Sequence, residues 1–379
     1  MVRPFRFAII SDPHVTLPHT LRDLPNRFHL MEASIPVLEH ILQALEAQTL
    51  DFLLLPGDLT QHGELENHQW LVNRLQALPF PVYVVPGNHD IILRDGCDRT
   101  LSLQDFPTCY GAFGYDHKAP YYQQELLPGI HLIGLNSIAF DPEGTQQSRG
   151  SVDETQLTWL SEQLEALRGA WVMVMIHHNV LEHLPGQAQH PMGQRYILQN
   201  REALIQRLQA GGVNLLFTGH LHIQDIAQEG ALWEITTGSL VSYPHPYRIL
   251  TATPQPTGQL QVQVETFRVP AAVGWPDLQA HSLQWMRDRA DLFMLKLLTC
   301  PPCGLPLDKA KQFAPELQDF WASISAGDPN FDFPQLPEAV NQYLRAFGAV
   351  DQDGHYCPID NDTTLMLPGP VGLASGLKP

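Results

Sequence analysis

Acidic, amide and imidazole side chains follow the apolar stretches of this sequence at five separate places. They are Asp12, His14, Asp58, Asn88, His89, His177, His220 and His222. Each pattern alone is typical of an ordinary polar turn, but five in succession are hard to obtain by chance. Mixtures of carboxylate and imidazole suit borderline metals such as Zn²⁺, Mn²⁺ or Fe. These donors are too many for one ion and sufficient for two, so the sequence predicts a dinuclear metal site.

Each polar group comes directly after a short apolar stretch that is typical of a strand buried on both faces. The predicted strands are 5–11, 51–58, 82–85, 171–176 and 214–218. Pro56-Gly57 and Pro86-Gly87 end two of them, because proline cannot donate to a ladder. Helices between the first three strands imply parallel pairing, which brings the carboxyl ends to one edge of a sheet. Ligands bind at that edge in open α/β sheets.

Helical spacing of apolar residues predicts helices over 34–48, with Ser34 as the N-cap, and over 63–78. Ser151 and Glu154 resemble a capping box for a helix that runs to about residue 167. A further helix is predicted over 202–209. Residues 91–120 are predicted to form a long irregular segment over the edge of the sheet.

Alternating stretches in the second half of the sequence predict antiparallel strands that pack as a second sheet. These stretches are 231–240, 247–253 and 259–268. From about residue 270 the pattern becomes that of amphipathic helices, over 276–299, 308–325 and 336–347, followed by an extended tail. We therefore predict an α/β catalytic domain over 1–270 and a helical C-terminal extension over 271–379.

Composition limits the classes of partner. The formal charge of −18, from 22 Lys+Arg against 40 Asp+Glu, offers no basic surface for a DNA or RNA backbone. No apolar run reaches the length of a signal peptide's hydrophobic region or of a membrane span, so we expect a cytoplasmic protein with no membrane partner. Five cysteines do not form an evident disulfide framework. Cys300, Cys303, His355 and Cys357 offer zinc donors, but ordinary thiols are the better interpretation of their incomplete spacing.

In identity and order, the strand-end residues resemble the motifs of the calcineurin-like metallophosphoesterases. The family pattern is D-x-H, G-D, G-N-H-[DE], H and G-H-x-H. Here it reads Asp12-Pro13-His14, Gly57-Asp58, Gly87-Asn88-His89-Asp90, His177 and Gly219-His220-Leu221-His222. The resemblance spans roughly residues 5–270 and implies a four-layer αββα sandwich of two sheets flanked by helices. Among subfamilies, the chain looks most like bacterial cyclic-nucleotide and glycerophosphodiester phosphodiesterases.

The resemblance also implies a role for each motif residue. Asp12, His14 and His222 would hold one transition-metal ion (Mn, Fe or Zn), while Asn88, His177 and His220 would hold the other. Asp58 would bridge the two, and a bridging hydroxide would attack phosphorus in line. His89 would protonate the departing alkoxide, and Asp90 would orient His89.

Substrate contacts are expected from segments that overhang the strand ends, 91–120 and 181–197. The candidates are Arg94, Tyr110, Tyr115, His117, His183, His190 and Arg195. His178 is expected to face the substrate or support a ligand, although Asn179 replaces the proline that follows it in many relatives. Ser239 resembles a family element near the site and is equally typical of a strand-end turn.

The expected activity is hydrolysis of a small phosphodiester, such as a cyclic nucleotide or a glycerophosphodiester. Aromatic walls with few cationic donors favour a diester over a monoester, which carries one more anionic oxygen. Two alternatives remain open: a phosphomonoesterase of the same family, and a non-catalytic scaffold of the same fold, as in a retromer subunit. A complete donor set with His89 favours an enzyme, since a scaffold has no reason to keep it.

Overall fold

Two six-stranded sheets form the centre of this protein. The structure is a computed structural model and describes residues 2–22, 27, 29–116, 118–351 and 353–370. Helices cover the outer face of each sheet. The predicted two-sheet class is confirmed.

The N-terminal part of the chain is a strand–helix–strand–helix–strand unit, as predicted. Its elements are β1 (Phe5–Ile9), α1 (Ser34–Glu46), β2 (Phe52–Leu55), α2 (Leu65–Gln76) and β3 (Val82–Val84). β2 pairs in parallel with both β1 and β3. All four residues of β2 are buried, because the second sheet covers one of its faces and helices cover the other. The carboxyl ends of the three strands consequently meet at one edge.

The second sheet takes its strands from the middle of the chain. After the short helix α3 (Phe106–Cys109) come β4 (Tyr122–Leu127), β5 (Ile130–Gly134), α4 (Glu154–Ala166), β6 (Trp171–Met175), α5 (Arg201–Ala210), β7 (Leu215–Thr218), β8 (Asp225–Glu229) and β9 (Leu232–Thr236). The strand order is β4-β5-β6-β7-β9-β8. β5, β6, β7 and β9 are parallel neighbours. The predicted strand at 231–240 therefore joins a largely parallel sheet.

The prediction that 247–253 and 259–268 belong to the second sheet is wrong. They form β10 (Pro246–Pro254) and β11 (Leu260–Arg268), and β10 pairs antiparallel with β1. They extend the first sheet beyond β1, to the order β11-β10-β1-β2-β3. Alternation of apolar and polar residues cannot tell which edge a strand will join.

Two predicted helix starts also differ in the structure. A short 3-10 turn over Met31–Ala33 precedes α1, so Ser34 lies inside the helix and its hydroxyl accepts a hydrogen bond from the N–H of Thr16 instead. Asp153, not Ser151, caps α4, because its extended backbone lets the carboxylate accept from the N–H of Gln156 at 2.8 Å.

The C-terminal region is helical, as predicted, but its last strand returns to the first sheet. Its elements are α6 (Leu278–Thr299), α7 (Leu307–Phe313), α8 (Phe320–Ala326), α9 (Glu338–Arg345) and β12 (Thr363–Leu367). The single helix predicted over 308–325 is divided by a 3-10 turn that contains Pro315. β12 pairs with β11, so the domain boundary at residue 270 stays a prediction. Among the described residues, no helix combines the length and apolarity needed to cross a membrane.

Candidate metal centre

The predicted metal donors are held by unusual backbone conformations beyond the strand ends. Of the seven described non-glycine residues with positive φ, five are predicted donors. They are Asp12, His14, Asp58, His220 and His222. A left-handed conformation of a residue with a Cβ costs about 1–3 kcal/mol, and such strain clusters at functional sites. The fold therefore tolerates strain at the positions where the sequence predicts ligands.

One group of donors combines the ends of β1, β2 and β7. The ligand atoms of Asp12, His14, Asp58 and His222 all lie within 4.8 Å of one another, and all four residues are buried. His222 Nε2 lies 3.3 Å from His14 Nε2 and 3.2 Å from Asp12 Oδ1. Two imidazoles and two carboxylates at this spacing can surround one transition-metal ion.

A second group lies beside the first and shares Asp58 with it. The ligand atoms of Asp58, His177 and His220 also lie within 4.8 Å of one another. Asn88 adds an amide oxygen, since its Oδ1 lies 3.1 Å from His177 Nε2. The structure thus brings together all seven predicted donors, in the two groups that the family resemblance implies.

The surroundings of Asp58 Oδ2 show whether the two donor groups suit a pair of metal ions. This atom is buried, lies 3.3 Å from His177 Nε2 and 3.7 Å from His14 Nε2, and accepts no hydrogen bond among the described residues. A buried carboxylate oxygen without a partner is unfavourable unless a cation compensates it. Its position between the groups fits an atom that bridges two metal ions.

Hydrogen bonds to backbone carbonyls fix which nitrogen of three histidines carries the proton. Nδ1–H of His177 donates to Pro56 O at 2.8 Å, and Nε2–H of His220 donates to Arg195 O at 3.0 Å. Because a carbonyl only accepts, the other nitrogen of each ring is left as a lone-pair donor. Nδ1–H of His89 likewise donates to Gln61 O at 2.7 Å. Such orientation by second partners is typical of metal-binding histidines.

The electrostatics of the group favour neutral His14 and His220 rings, a charged Asp58 carboxylate and, without a bound cation, a protonated His177. Burial lowers the pKa of His14 and of His220 well below the ordinary value. Burial alone would raise the pKa of Asp58, but the charges of His177 and His89 hold it well below its usual range. Burial lowers the pKa of His177, and the attraction of Asp58 outweighs this and raises it to about 9. A bound cation would take the place of that proton.

The two Pro-Gly turns bring the strand ends into contact. A Cβ on Gly87 would collide with the backbone and side chain of Asp58, and a Cβ on Gly57 would collide with the ring of His177. Gly57 also has a φ of 94°. Both positions therefore require glycine, because the two Pro-Gly turns lie in direct contact with the predicted donors Asp58 and His177.

Asp90 does not orient His89, contrary to the sequence prediction. Its buried carboxylate instead accepts hydrogen bonds from the N–H groups of Gly87, Leu59 and Thr60, at 2.8, 3.1 and 2.8 Å. It joins the loops that follow β2 and β3. The Gln61 carbonyl orients the His89 ring. The reason is geometric: a carboxylate next in sequence to His89 points away from it, into the gap between the two loops.

His178 lies beside the second group. Its Nδ1 lies 2.8 Å from Ser137 Oγ, and its ring contacts that of His220 in a tilted arrangement with 4.2 Å between centroids. Asn179, where relatives have proline, is buried and donates to Thr218 Oγ1 at 3.0 Å and to Glu234 Oε1 at 3.2 Å. The amide thereby ties this loop to β7 and β9.

A cavity of about 450 Å³ opens over the two groups. Among the predicted substrate residues, Arg195 and His178 line it, and so does His89. Ser239 lies below the site, where its hydroxyl donates to Asp12 O at 2.9 Å. Ser239 thus supports the end of β1 without reaching the cavity.

None of the described residues of the segment 91–120 lines the cavity, although the sequence predicts that this segment overhangs it. Tyr110 is fully buried, stacks on Phe106 and lies 2.8 Å from Nδ1 of His68. Arg94 pairs with Asp95 on the surface and is not among the residues that line the cavity. His117 lies outside the described residues. The aromatic side chains of this segment are core residues that pack beside β3 and α2.

Other residues at the cavity were missed by the sequence analysis. His29 packs against both His14 and His222, with ring centroids 5.3 and 4.4 Å away, but no local motif marks it. Gln146 donates to Asn88 O and Ile91 O and so holds the loop that carries Asn88. The C-terminal helices contribute Met286, Phe293 and Trp321. Only tertiary packing brings these residues to the site.

The chain is similar in sequence to bacterial proteins that are named as phosphodiesterases. Over 222 residues, the chain is 26% identical to a 3′,5′-cyclic-nucleotide phosphodiesterase of Nostoc sp., covering 58% of this chain and 72% of that protein. A probable glycerophosphodiester phosphodiesterase GpdQ of Arcobacter nitrofigilis is 26% identical over 140 residues, which cover 34% of this chain and 41% of that protein.

A solved structure and a family model extend the comparison. The crystal structure of a dimetal phosphatase from Danio rerio superposes with a TM-score of 0.50 at 14% identity, covers 69% of this chain and 95% of that one, and shows the same fold. The model of the calcineurin-like phosphoesterases matches residues 5–224. Since that range is more than half of the chain and contains every predicted donor, the chain belongs to the calcineurin-like phosphoesterase family.

Proposed function

We propose that this protein is a dinuclear metal-dependent phosphodiesterase that hydrolyses small phosphodiesters such as cyclic nucleotides or glycerophosphodiesters. The observation that carries the proposal is Asp58 Oδ2, a buried oxygen that accepts no hydrogen bond among the described residues and lies between two donor groups. Asp12, His14 and His222 would hold one ion, and Asn88, His177 and His220 the other. When bound, two ions such as Mn²⁺, Fe or Zn²⁺ supply Lewis-acid activation of water and of the phosphoryl group.

His89 is the residue placed to move a proton. Its Nδ1–H is held by the Gln61 carbonyl and its backbone N–H donates to Asp58 Oδ1 at 2.8 Å, so the ring is fixed at the cavity wall. In its cationic form, the Nε2–H of His89 would donate to the oxygen of the departing alkoxide. The ring is then neutral and is reprotonated from solvent through the open cavity.

Charge at the cavity supports a diester over a monoester. Among the described residues that line it, Arg195 is the one side chain with a permanent positive charge. The remaining walls are imidazoles, amides, hydroxyls, apolar groups and the carboxylate of Asp58, which is a predicted metal donor. A phosphodiester carries one negative charge, and a monoester dianion would profit from more cationic donors. The relatives named as phosphodiesterases point in the same direction.

The test compares matched pairs of substrates. We expect kcat/KM to be higher for bis(p-nitrophenyl) phosphate than for p-nitrophenyl phosphate, and higher for a cyclic nucleotide than for its linear monophosphate, with the Mn²⁺-loaded protein. Preference for the monoester in both pairs would make the protein a phosphatase. No hydrolysis of any substrate after metal loading would favour the non-catalytic scaffold. A chain with a net charge of −18 should not hydrolyse polymeric nucleic acid.

A further inference from the structure

The C-terminal helices form one wall of the cavity above the metal centre. Met286 and Phe293 of α6 and Trp321 of α8 line it, together with the predicted donors Asp58, Asn88, His220 and His222. The helical region packs directly on the active-site loop, because Leu221 and Ile223 of the family motif segment belong to its apolar core. This region is therefore part of the site rather than a separate appendage.

A second, narrow cleft continues from that wall. Tyr196, Phe293 and Trp321 line both the cavity and the cleft. Leu184, Leu297 and Phe347 are among its other walls. Gln187 donates to Asn179 Oδ1, and the Nδ1 of His190 accepts from Met192 N, while the buried Nε2 of His190 has no hydrogen-bond partner among the described residues. Most residues that line the cleft are apolar or aromatic, and the cleft is reached from the metal centre.

The loop that carries Tyr196 is tied to the metal centre. The carbonyl of Arg195 accepts from His220 Nε2, and the Tyr196 ring lies 5.2 Å from the His220 ring, between centroids. Phe293 and Trp321, which line the same cavity, have ring centroids 5.1 Å apart. These three aromatic side chains line the same cavity as the donors, so an ester arm of a phosphoryl group held at the donors can reach them.

We propose that one ester arm of the substrate is apolar and lies against Phe293 and Trp321, with its end in the cleft behind Tyr196. This inference rests on the proposed function and deepens it, since it names the chemistry of the arm. Half-buried aromatic side chains around a site are stabilised when an apolar group covers them. A hydrocarbon chain and an aromatic ring share this chemistry, and the experiment distinguishes them.

The test uses three diesters that differ in one arm: dimethyl phosphate, methyl hexyl phosphate and methyl benzyl phosphate. Each competes with bis(p-nitrophenyl) phosphate for the Mn²⁺-loaded full chain, and calorimetric titration measures the same affinities without relying on activity. We expect the hexyl or the benzyl ester to bind at least about tenfold more tightly than the methyl ester. Stronger binding of the hexyl ester indicates a chain, and of the benzyl ester a ring. Equal affinity for all three would overturn the inference.

Two variants locate the effect. Phe293→Ala and Trp321→Ala should each reduce the preference for the hexyl or benzyl ester over dimethyl phosphate several-fold. Trp321→Phe should retain most of that preference. Leu292→Ala is the matched control, because Leu292 is the neighbour of Phe293 on α6 and is 75% exposed. An unchanged preference in both alanine variants would refute the assigned wall. If bis(p-nitrophenyl) phosphate is not hydrolysed, the proposed function fails, and the titrations still decide the character of the cleft.

Discussion

The carboxylate of Asp90 accepts a hydrogen bond from the backbone N–H of Thr60, 2.8 Å away, and so links the loops after β3 and β2. Two further N–H groups, of Leu59 and Gly87, point at the same carboxylate. These loops carry Asp58 and Asn88, which belong to the predicted bridging and second-ion positions. Asp90 therefore sets the distance between two predicted donors and is not itself one of the donors.

Asp90→Asn should weaken metal binding although it preserves the shape of the side chain. The amide keeps one acceptor oxygen and turns an NH₂ group towards backbone donors, which costs about 1–3 kcal/mol for each buried group left unpaired. We expect a lower thermal midpoint and fewer metal ions retained after dialysis, measured by calorimetry and elemental analysis. Asp95→Asn on the surface is the control. Wild-type metal content and stability in Asp90→Asn would contradict the linking role.

Gly87→Ala tests the close approach of the strand ends. The added methyl group would collide with Asp58, so the loops must separate and the donor groups must move apart. We expect loss of at least one metal ion per chain and a destabilisation of about 1–3 kcal/mol, measured by elemental analysis and urea unfolding. Gly111→Ala is the matched control, because a Cβ there meets no atom within 4 Å. A Gly87→Ala protein that keeps both ions would show that this contact is unimportant.

The features of the site that were predictable are local in sequence. Buried strands that end at polar residues, and the glycines of the Pro-Gly turns, are visible in a few consecutive residues. Parallel pairing then follows from the intervening helices, so the amino-acid sequence alone places Asp12, Asp58 and Asn88 at one edge of a sheet. The family resemblance supplied the division of the donors into two groups.

The features that were missed depend on contacts between distant parts of the chain. The role of Asp90 depends on the loop after β2, 30 residues earlier, and Tyr110 looked like a substrate residue because sequence does not show that His68 and Phe106 enclose it. β8 and β12 have weak alternation and acquire their strand form from their neighbours. Phe293 and Trp321 reach the cavity only because α6 and α8 pack on the loop at Leu221.

The ion pairs of His183 should make the free energy of unfolding decrease at alkaline pH. His183 is buried between Asp225 and Glu234; burial lowers its pKa, and the attraction of the two carboxylates outweighs this and raises it from 6.5 to about 10. Because the folded pKa exceeds the unfolded one, this stabilisation is complete below pH 6.5 and is lost as pH rises through about 10. Urea unfolding at about pH 6 and about pH 10, with EDTA present, should show a larger decrease for wild type than for His183→Gln. Equal decreases in the two proteins would show that the His183 ion pairs do not contribute to the pH dependence of stability.

His89→Ala separates proton transfer from metal binding. The His89 ring is not one of the predicted metal donors, so both ions should remain bound. Turnover of diesters with poor leaving groups should fall by about 10²–10⁴-fold, because the departing alkoxide is no longer protonated. Esters with a nitrophenolate leaving group need less protonation, so their loss should be smaller. The measurements are kcat for both kinds of ester and metal content by elemental analysis. Equal losses for both kinds of ester, or loss of an ion, would give His89 another role.

Asp58→Ala should be the most damaging change of a single predicted donor. Asp58 belongs to both groups, whereas His222 and Asn88 each serve one, so its removal strips an anionic bond from both ions. Elemental analysis of dialysed protein should give close to two ions per chain for wild type, a partial loss for Asn88→Ala and for His222→Ala, and the largest loss for Asp58→Ala. Chelation of the wild type should abolish activity, and Mn²⁺ should restore it. A wild-type protein that binds no metal after Mn²⁺ loading would overturn the dinuclear centre, and equal losses in the three variants would overturn the bridging position of Asp58 alone.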